Sequence, residues 1–271
     1  SYRGYDVATN QPPGGGVMLV EMLNILEHFD LASMGHNSAQ YIATVAEAMK
    51  IAVADKDAKV GDPRFVDVPV ADLTSKSYAA AQADRIRRGE KANVDRLNRG
   101  GEESRDTTHI CVADAAGNIV SVTHSIGAPS GVVTPGLGFM YNGSMAVFDP
   151  RPGRTGSIAP GKARFTAMCP TILFKDGTPT HVIGAPGGAN IAIGVLQGIL
   201  NMVDFGMTAQ EAVAAPRFSA TSNTIGISNR ILRRTAAELG TMGYRTQRSA
   251  RSYDFAAVHA LRRTASGWDG G

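Results

Sequence analysis

Hydrophobic positions in this chain fall into long helical stretches and short alternating ones, and their order sets the expected architecture. Residues 15–29 are dense in Val, Met, Leu and Ile and predict an apolar helix that ends at Asp30. Residues 38–56 predict a second helix with Ser38 as N-cap. Ala43, Val45, Ala46, Met49 and Ile51 face a buried side, and Lys50 and Lys56 point outward. A third, more exposed helix is predicted over 75–88. Residues 191–205 are almost continuously apolar and should lie buried against a sheet. Thr208 should cap a short helix to Ala214, and Asn229 another to Met242. Apolar and β-branched residues predict a strand over 108–112, a Gly117-Asn118 turn and a return strand to Ser125. Strands over 168–174 and 180–183 flank an Asp176-Gly177 turn. Strands and helices do not keep a strict βαβ rhythm, so a layered α+β sandwich fits better than a doubly wound parallel sheet. No internal repeat or low-complexity tract interrupts the chain.

Composition narrows the class without choosing a function. The chain has 271 residues, 43% hydrophobic and 19% charged, enough for one large domain or two small ones. Its 27 basic and 24 acidic residues leave a net charge of +3. The basic cluster Arg85, Arg87, Arg88 is flanked by Asp84 and Glu90 and reads as a solvated helix end, so no nucleic-acid footprint is expected. No apolar run reaches the roughly 20 residues of a membrane span. Cys111 and Cys169 sit in apolar segments read as strands, and suit buried thiols better than a disulfide or a nucleophile. The six histidines show no metal-ligand spacing, and neither metal nor cofactor is expected. His109 lies on the predicted strand where a packed or hydrogen-bonded imidazole is expected. The Pro12 to Gly16 stretch reads as a loop and cap, with an anion at the helix N-terminus as the alternative.

The chemistry concentrates around Thr107 and Thr108. A polar, glycine-containing stretch, residues 99–106, reads as an exposed linker and runs directly into a strand opened by this Thr pair. A threonine hydroxyl needs a base to act as nucleophile, and an N-terminal threonine carries its own, since a free α-amino group titrates near ~8. Cleavage between Asp106 and Thr107 would create that unit. The plainer alternative is that the two threonines simply open a strand, as β-branched residues often do. The hairpin would bring Ser125 back beside Thr107. Gly187 and Gly188 fall where a strand meets a helix, so their N–H groups suit an oxyanion hole, although a glycine pair there also serves as a plain turn.

Taken together these stretches resemble the γ-glutamyltransferase family of N-terminal nucleophile (Ntn) hydrolases. The matching residues are Tyr2-Arg3-Gly4-Tyr5 with Pro12-Pro13-Gly14-Gly15-Gly16, Leu23-Asn24-Ile25-Leu26-Glu27, Gly61-Asp62-Pro63 and Thr107-Thr108-His109. They continue with Asp114 and Gly117-Asn118, Met168-Cys169-Pro170-Thr171, Gly184-Ala185-Pro186-Gly187-Gly188 and Ala215-Pro216-Arg217-Phe218. The resemblance implies a four-layer αββα sandwich and a proenzyme that cuts itself. Residues 1–106 would be the end of the large subunit and 107–271 the small subunit. Thr107 would be the nucleophile, Ser125 the adjacent hydroxyl, and Gly187 and Gly188 the oxyanion donors. An absent N-terminal region would supply an arginine for the substrate carboxylate. The tail at Asp269-Gly270-Gly271 stops before the family's usual end, and the compartment stays open between cytoplasm and periplasm.

The departures from the family pattern concern the substrate. Typical members grip an α-amino group with an acidic residue just before a Phe, and here that position is Val147, before Phe148. Asp149 lies two positions beyond it, too far along to replace it without a shift. Other polar contacts reduce to Gly127 and Ser144, and a hydroxyl pair that holds the α-carboxylate corresponds to Thr166 and Ala167. His124, next to Ser125, could add polarity to the acyl pocket. An ammonium left unpaired against Val147 would be costly, so the expected acyl group lacks a free α-amino group, as in oxamate amidohydrolase-like enzymes or acylases that remove dicarboxylic side chains from β-lactams. The expected partner is thus a small-molecule amide, besides the paired subunits. The alternatives are an ordinary γ-glutamyltransferase acting on glutathione, and a non-catalytic, uncleaved protein of the same fold.

Overall fold

The computed structural model describes residues 1–94 and 106–271. The linker read at 99–106 lies outside the described residues except for Asp106. The first part of the chain is a short strand β1 (Asp6–Ala8) followed by helices α1 (Gly16–Leu26), α2 (Leu31–Met34), α3 (Ala39–Lys59), α4 (Val70–Leu73) and α5 (Lys76–Arg87). Local chemistry explains where the longer ones begin. The Ser38 side chain accepts from the Tyr41 N–H and the Ser75 side chain from the Tyr78 N–H, each satisfying a donor that the helix start leaves without a partner. The second part begins with the hairpin β2 (Thr107–Ala113) and β3 (Ile119–Ser125), then β4 (Pro129–Val133) and β5 (Met140–Asn142). After β6 (Thr171–Lys175) and β7 (Thr178–Gly184) come α6 (Ile191–Val203) and α7 (Ala209–Ala214). The chain closes with β8 (Phe218–Ser219), β9 (Thr224–Ile227), α8 (Arg233–Thr241), β10 (Arg245–Arg248), β11 (His259–Thr264) and β12 (Gly267–Gly270).

The architecture is the α+β sandwich that the sequence pattern predicts. A five-stranded antiparallel sheet runs in the order β1-β6-β7-β11-β12, so one edge strand comes from the start of the chain and the rest from its second half. Helix α6 packs on β7, and α1 and α3 continue that helical layer. The core joins both parts of the chain: Leu19, Met22, Ile42, Val45 and Met49 share one cluster with Leu173, Ile183, Leu196 and Phe218. On the sheet's opposite side lies the β2–β3 hairpin, which packs on β7 and β11. The described residues thus supply a helical layer and two β layers. The outer face of the hairpin is bare, with Ile110, Val112, Val120 and Val122 each close to half exposed.

Several expectations need correction. Lys50 does not point outward: it is buried, pairs with Glu47 at 2.5 Å and lies over the Tyr244 ring, because α3 is enclosed around most of its circumference by α1, α5 and α8. Lys56 is half-buried with its ammonium over the Phe165 ring. Asn229 caps no helix. Helix α8 starts only after Leu232, and the Asn229 amide donates instead to the Ala250 carbonyl at 3.2 Å. The strand read from Met168 begins at Thr171, since the Met168 carbonyl is taken by the Gly15 N–H and the Asn10 amide. Cys169 therefore precedes the strand, and like Cys111 it is a free thiol. The Thr208 cap forms as expected, reinforced by Glu211 in a capping box.

Candidate active site

Register in the hairpin decides which side chains meet. Antiparallel pairing sets Thr107 opposite Ser125, His109 opposite Thr123 and Cys111 opposite Ser121, all on the face turned to the five-stranded sheet. Thr107 Oγ1 and Ser125 Oγ are 2.8 Å apart. The Gly127 N–H donates to Ser125 Oγ at 2.9 Å, and in the Thr107–Ser125 pair either hydroxyl can donate. On the chain's other side, the Asp106 carbonyl accepts from the Ile126 N–H at 3.3 Å. Alternation along the strand places His124, opposite Thr108, on the reverse and exposed face. His124 is thereby separated from the Thr107 side chain, a correction to its expected place in the pocket.

Ser144 sits close by. The Gly143 N–H donates to the carbonyls of Ile126 and Ala128, and Ser144 Oγ lies against the α-carbon side of Gly127. A single 3-10 turn, Ser144–Val147, then carries Val147 into an exposed position. Asp149 is occupied elsewhere: its carboxylate makes a paired contact with the Arg151 guanidinium at 2.8 and 3.0 Å, which holds its pKa down at about 2. Thr166 is tied to a different segment, its N–H donating to the Pro13 carbonyl at 2.9 Å. The start of α1 is closed by the protein itself, Gly15 N–H on Met168 and Gly16 N–H on Asn10, which favours loop and cap over an anion site.

Gly187 and Gly188 follow β7 in a 3-10 turn that leads into α6. Among the described residues neither N–H donates to a protein acceptor. Gly187 has φ of 148°, and a Cβ there would come within 2.6 Å of Ala256, so only glycine fits. Ala256 and Ala257 brace this turn from behind: the Ala257 N–H donates to the Pro186 carbonyl, and buried Arg217 donates to the Ala256 carbonyl at 2.8 Å. The layers also align. Cys111 Sγ faces the Val182 carbonyl, and the His109 ring abuts Gly184.

Two structural roles escaped the sequence reading, in which Asp62 figured only within a matching motif. Buried Asp62 accepts from the Arg64 side chain and from the Ala163 N–H, and these bonds hold its carboxyl well below the usual range. It thereby anchors the segment that leads to Thr166, and an Asp between Gly and Pro was the available signal. The Ile126 N–H on the Asp106 carbonyl has no side-chain signature at all. Among the described residues no cluster of His, Cys, Asp or Glu is suited to hold a metal ion, and no helix is long and apolar enough to cross a membrane.

Comparison with known proteins gives a consistent result. The model of the gamma-glutamyltranspeptidase family matches residues 1–271. An acylase ACY 1 proenzyme from Pseudomonas sp. is 42% identical over 254 residues, covering 93% of this chain and 45% of that protein. A glutathione hydrolase proenzyme from Escherichia coli is 40% identical over 234 residues, covering 80% of this chain and 40% of that protein. The chain thus spans less than half the length of these relatives. The crystal structure of a cephalosporin acylase from Bacillus halodurans superposes with a TM-score of 0.85 at 28% identity, over 100% of this chain and 50% of that one.

Proposed function

Because this chain belongs to the gamma-glutamyltranspeptidase family, we propose that it carries the reactive centre of a self-processing N-terminal threonine amidohydrolase, with Thr107 as nucleophile. The observation that carries the reading is the 2.8 Å pairing of Thr107 Oγ1 with Ser125 Oγ at the start of β2. In the uncut chain the Thr107 hydroxyl attacks the Asp106 carbonyl carbon, whose oxygen is already held by the Ile126 N–H. The C–N bond breaks, an ester forms, and water releases it to leave a free α-amino group on Thr107. Residues 1–106 then belong to a large subunit and residues 107–271 to the small one. Self-processing fits the proenzyme names of both relatives.

In the mature site the α-amino group acts as base for its own hydroxyl. The hydroxyl attacks an amide carbonyl, the N–H groups of Gly187 and Gly188 stabilise the oxyanion, and the amine leaves with a proton. Water or another amine then takes the acyl group from Thr107. Losing one such oxyanion donor typically costs about 3–4 kcal/mol of transition-state stabilisation. Val147 stands at the family's acidic position, and the nearby Asp149 carboxylate is engaged by Arg151. The substrate class is therefore a small amide without a free α-amino group, oxamate-like or a dicarboxylic monoamide, with Ser144 and Thr166 as its polar contacts.

The test is the denatured intact mass of freshly made full-length protein beside a Thr107→Ala variant. Two fragments from the first and one chain from the second are expected. A single uncut chain from both would overturn the enzyme reading in favour of a non-catalytic member of the fold. Turnover of oxamate and dicarboxylic monoamides should then exceed turnover of glutathione, and the reverse order would mark an ordinary glutathione hydrolase.

A further inference from the structure

Two residues beyond Thr107, on the same face of β2, stands a histidine that the proposed chemistry does not use. His109 is 3% exposed. Its Nδ1 lies 2.8 Å from Thr123 Oγ1 and its Nε2 3.2 Å from Cys111 Sγ, so both ring nitrogens are engaged by the hairpin that carries it. The edge of the ring enters the space that a side chain on residue 184 would need, and residue 184 is glycine. Gly184 is the last residue of β7 and the first of the run that leads to Gly187 and Gly188. Ser121, on the partner strand, donates to the Ile183 carbonyl at 3.2 Å and fixes the same crossing from the β3 side.

The hairpin thus holds a rigid ring, and β7 offers a notch shaped for it. We propose that His109 is a positioning residue, a peg seated at Gly184 that sets the distance between Thr107 and the N–H groups of Gly187 and Gly188. It touches neither substrate nor the reacting atoms. The inference rests on the reading of Thr107 as nucleophile and the glycine pair as oxyanion donors. Burial and the neighbouring His259 push the His109 pKa down to about 4, so the ring stays neutral and keeps one donor and one acceptor nitrogen for Thr123 and Cys111.

A shift of the peg misplaces the nucleophile against its oxyanion donors. A misplacement of about 1 Å lowers turnover on the order of 100-fold while leaving substrate binding in place. His109→Ala should therefore lower kcat by about that factor at nearly unchanged KM, and His109→Gln, which keeps volume and a bond to Thr123, should recover most of it. Gly184→Ala should fall similarly, because its methyl displaces the ring. The double variant His109→Ala with Gly184→Ala should regain about tenfold over Gly184→Ala alone, since the vacated space accepts the methyl. Kinetics of full-length protein, with thermal midpoints and the mass of a Thr107 acyl adduct, read all of this. Where His109→Ala fails to fold, His109→Gln and Gly184→Ala carry the comparison. A folded His109→Ala enzyme with wild-type kcat, or a double variant no better than Gly184→Ala, would overturn the peg while a wild-type Thr107 adduct leaves the nucleophile standing. A wild-type protein that neither cleaves nor forms the adduct would overturn both.

Discussion

His109 and His181 are buried between layers with their imidazoles neutral, and burial pushes each pKa down to about 4. The unfolded chain takes up these protons near 6.5. Between pH 6.5 and 4 the unfolded state therefore binds more protons than the folded one. The stability associated with each histidine is fully present above pH 6.5 and drains as pH falls towards 4, by on the order of 3 kcal/mol each. Urea midpoints at pH 7 and pH 4.5 should show this loss, and His109→Gln should show a visibly smaller drop over the same range. At this scale the sequence was informative only for residues whose partners are near in the chain. Thr107 and Ser125 meet because one short turn joins their strands, and that turn is legible. Gly184 gives no hint of the ring it accommodates, because His109 lies on another layer and far away in sequence.

Helix starts show the same division between local and distant causes. Ser38 and Thr208 were readable as caps because each needs only the next few residues to form its bond. Ser38→Ala and Thr208→Ala should each cost about 1 kcal/mol, a drop of roughly 2–4 °C in Tm for a domain of this size. Asn229→Ala should leave α8 intact, as its amide serves the Ala250 loop. Differential scanning calorimetry on the three variants separates these cases. Strand β11 was not legible. It lies between β7 and β12 in the sheet, yet its sequence His259-Ala260-Leu261-Arg262-Arg263-Thr264 mixes charge into every face. Arg262 is tolerated there because it pairs with Asp269 on β12 at 2.9 Å, a partner that exists only once the sheet has formed. Lys50 misled for a different reason: Glu47, its partner, is only three residues away, but the burial of the pair comes from the helices that enclose α3.

At the scale of the whole molecule, the outer face of β2–β3 sets the behaviour of the described residues in water. Ile110, Val112, Val120 and Val122 form a stripe of exposed β-branched side chains on a two-stranded layer. Apolar surface gathered in this way binds other apolar surface. The 271-residue chain should therefore enhance the fluorescence of a hydrophobic dye such as ANS and elute early in size-exclusion chromatography. Val120→Thr with Val122→Thr should reduce both effects without disturbing the Thr107 side. The opposite edge of the architecture carries a different consequence. Strand β1 covers the hydrogen-bonding edge of β6 through the pairs Asp6 with Phe174, Val7 with Leu173 and Ala8 with Ile172. If the backbone is severed before Thr107, that strand becomes a loan from one polypeptide to another. Its departure would uncover a ready template for intermolecular pairing at β6, so the two pieces guard each other against aggregation for as long as they stay together.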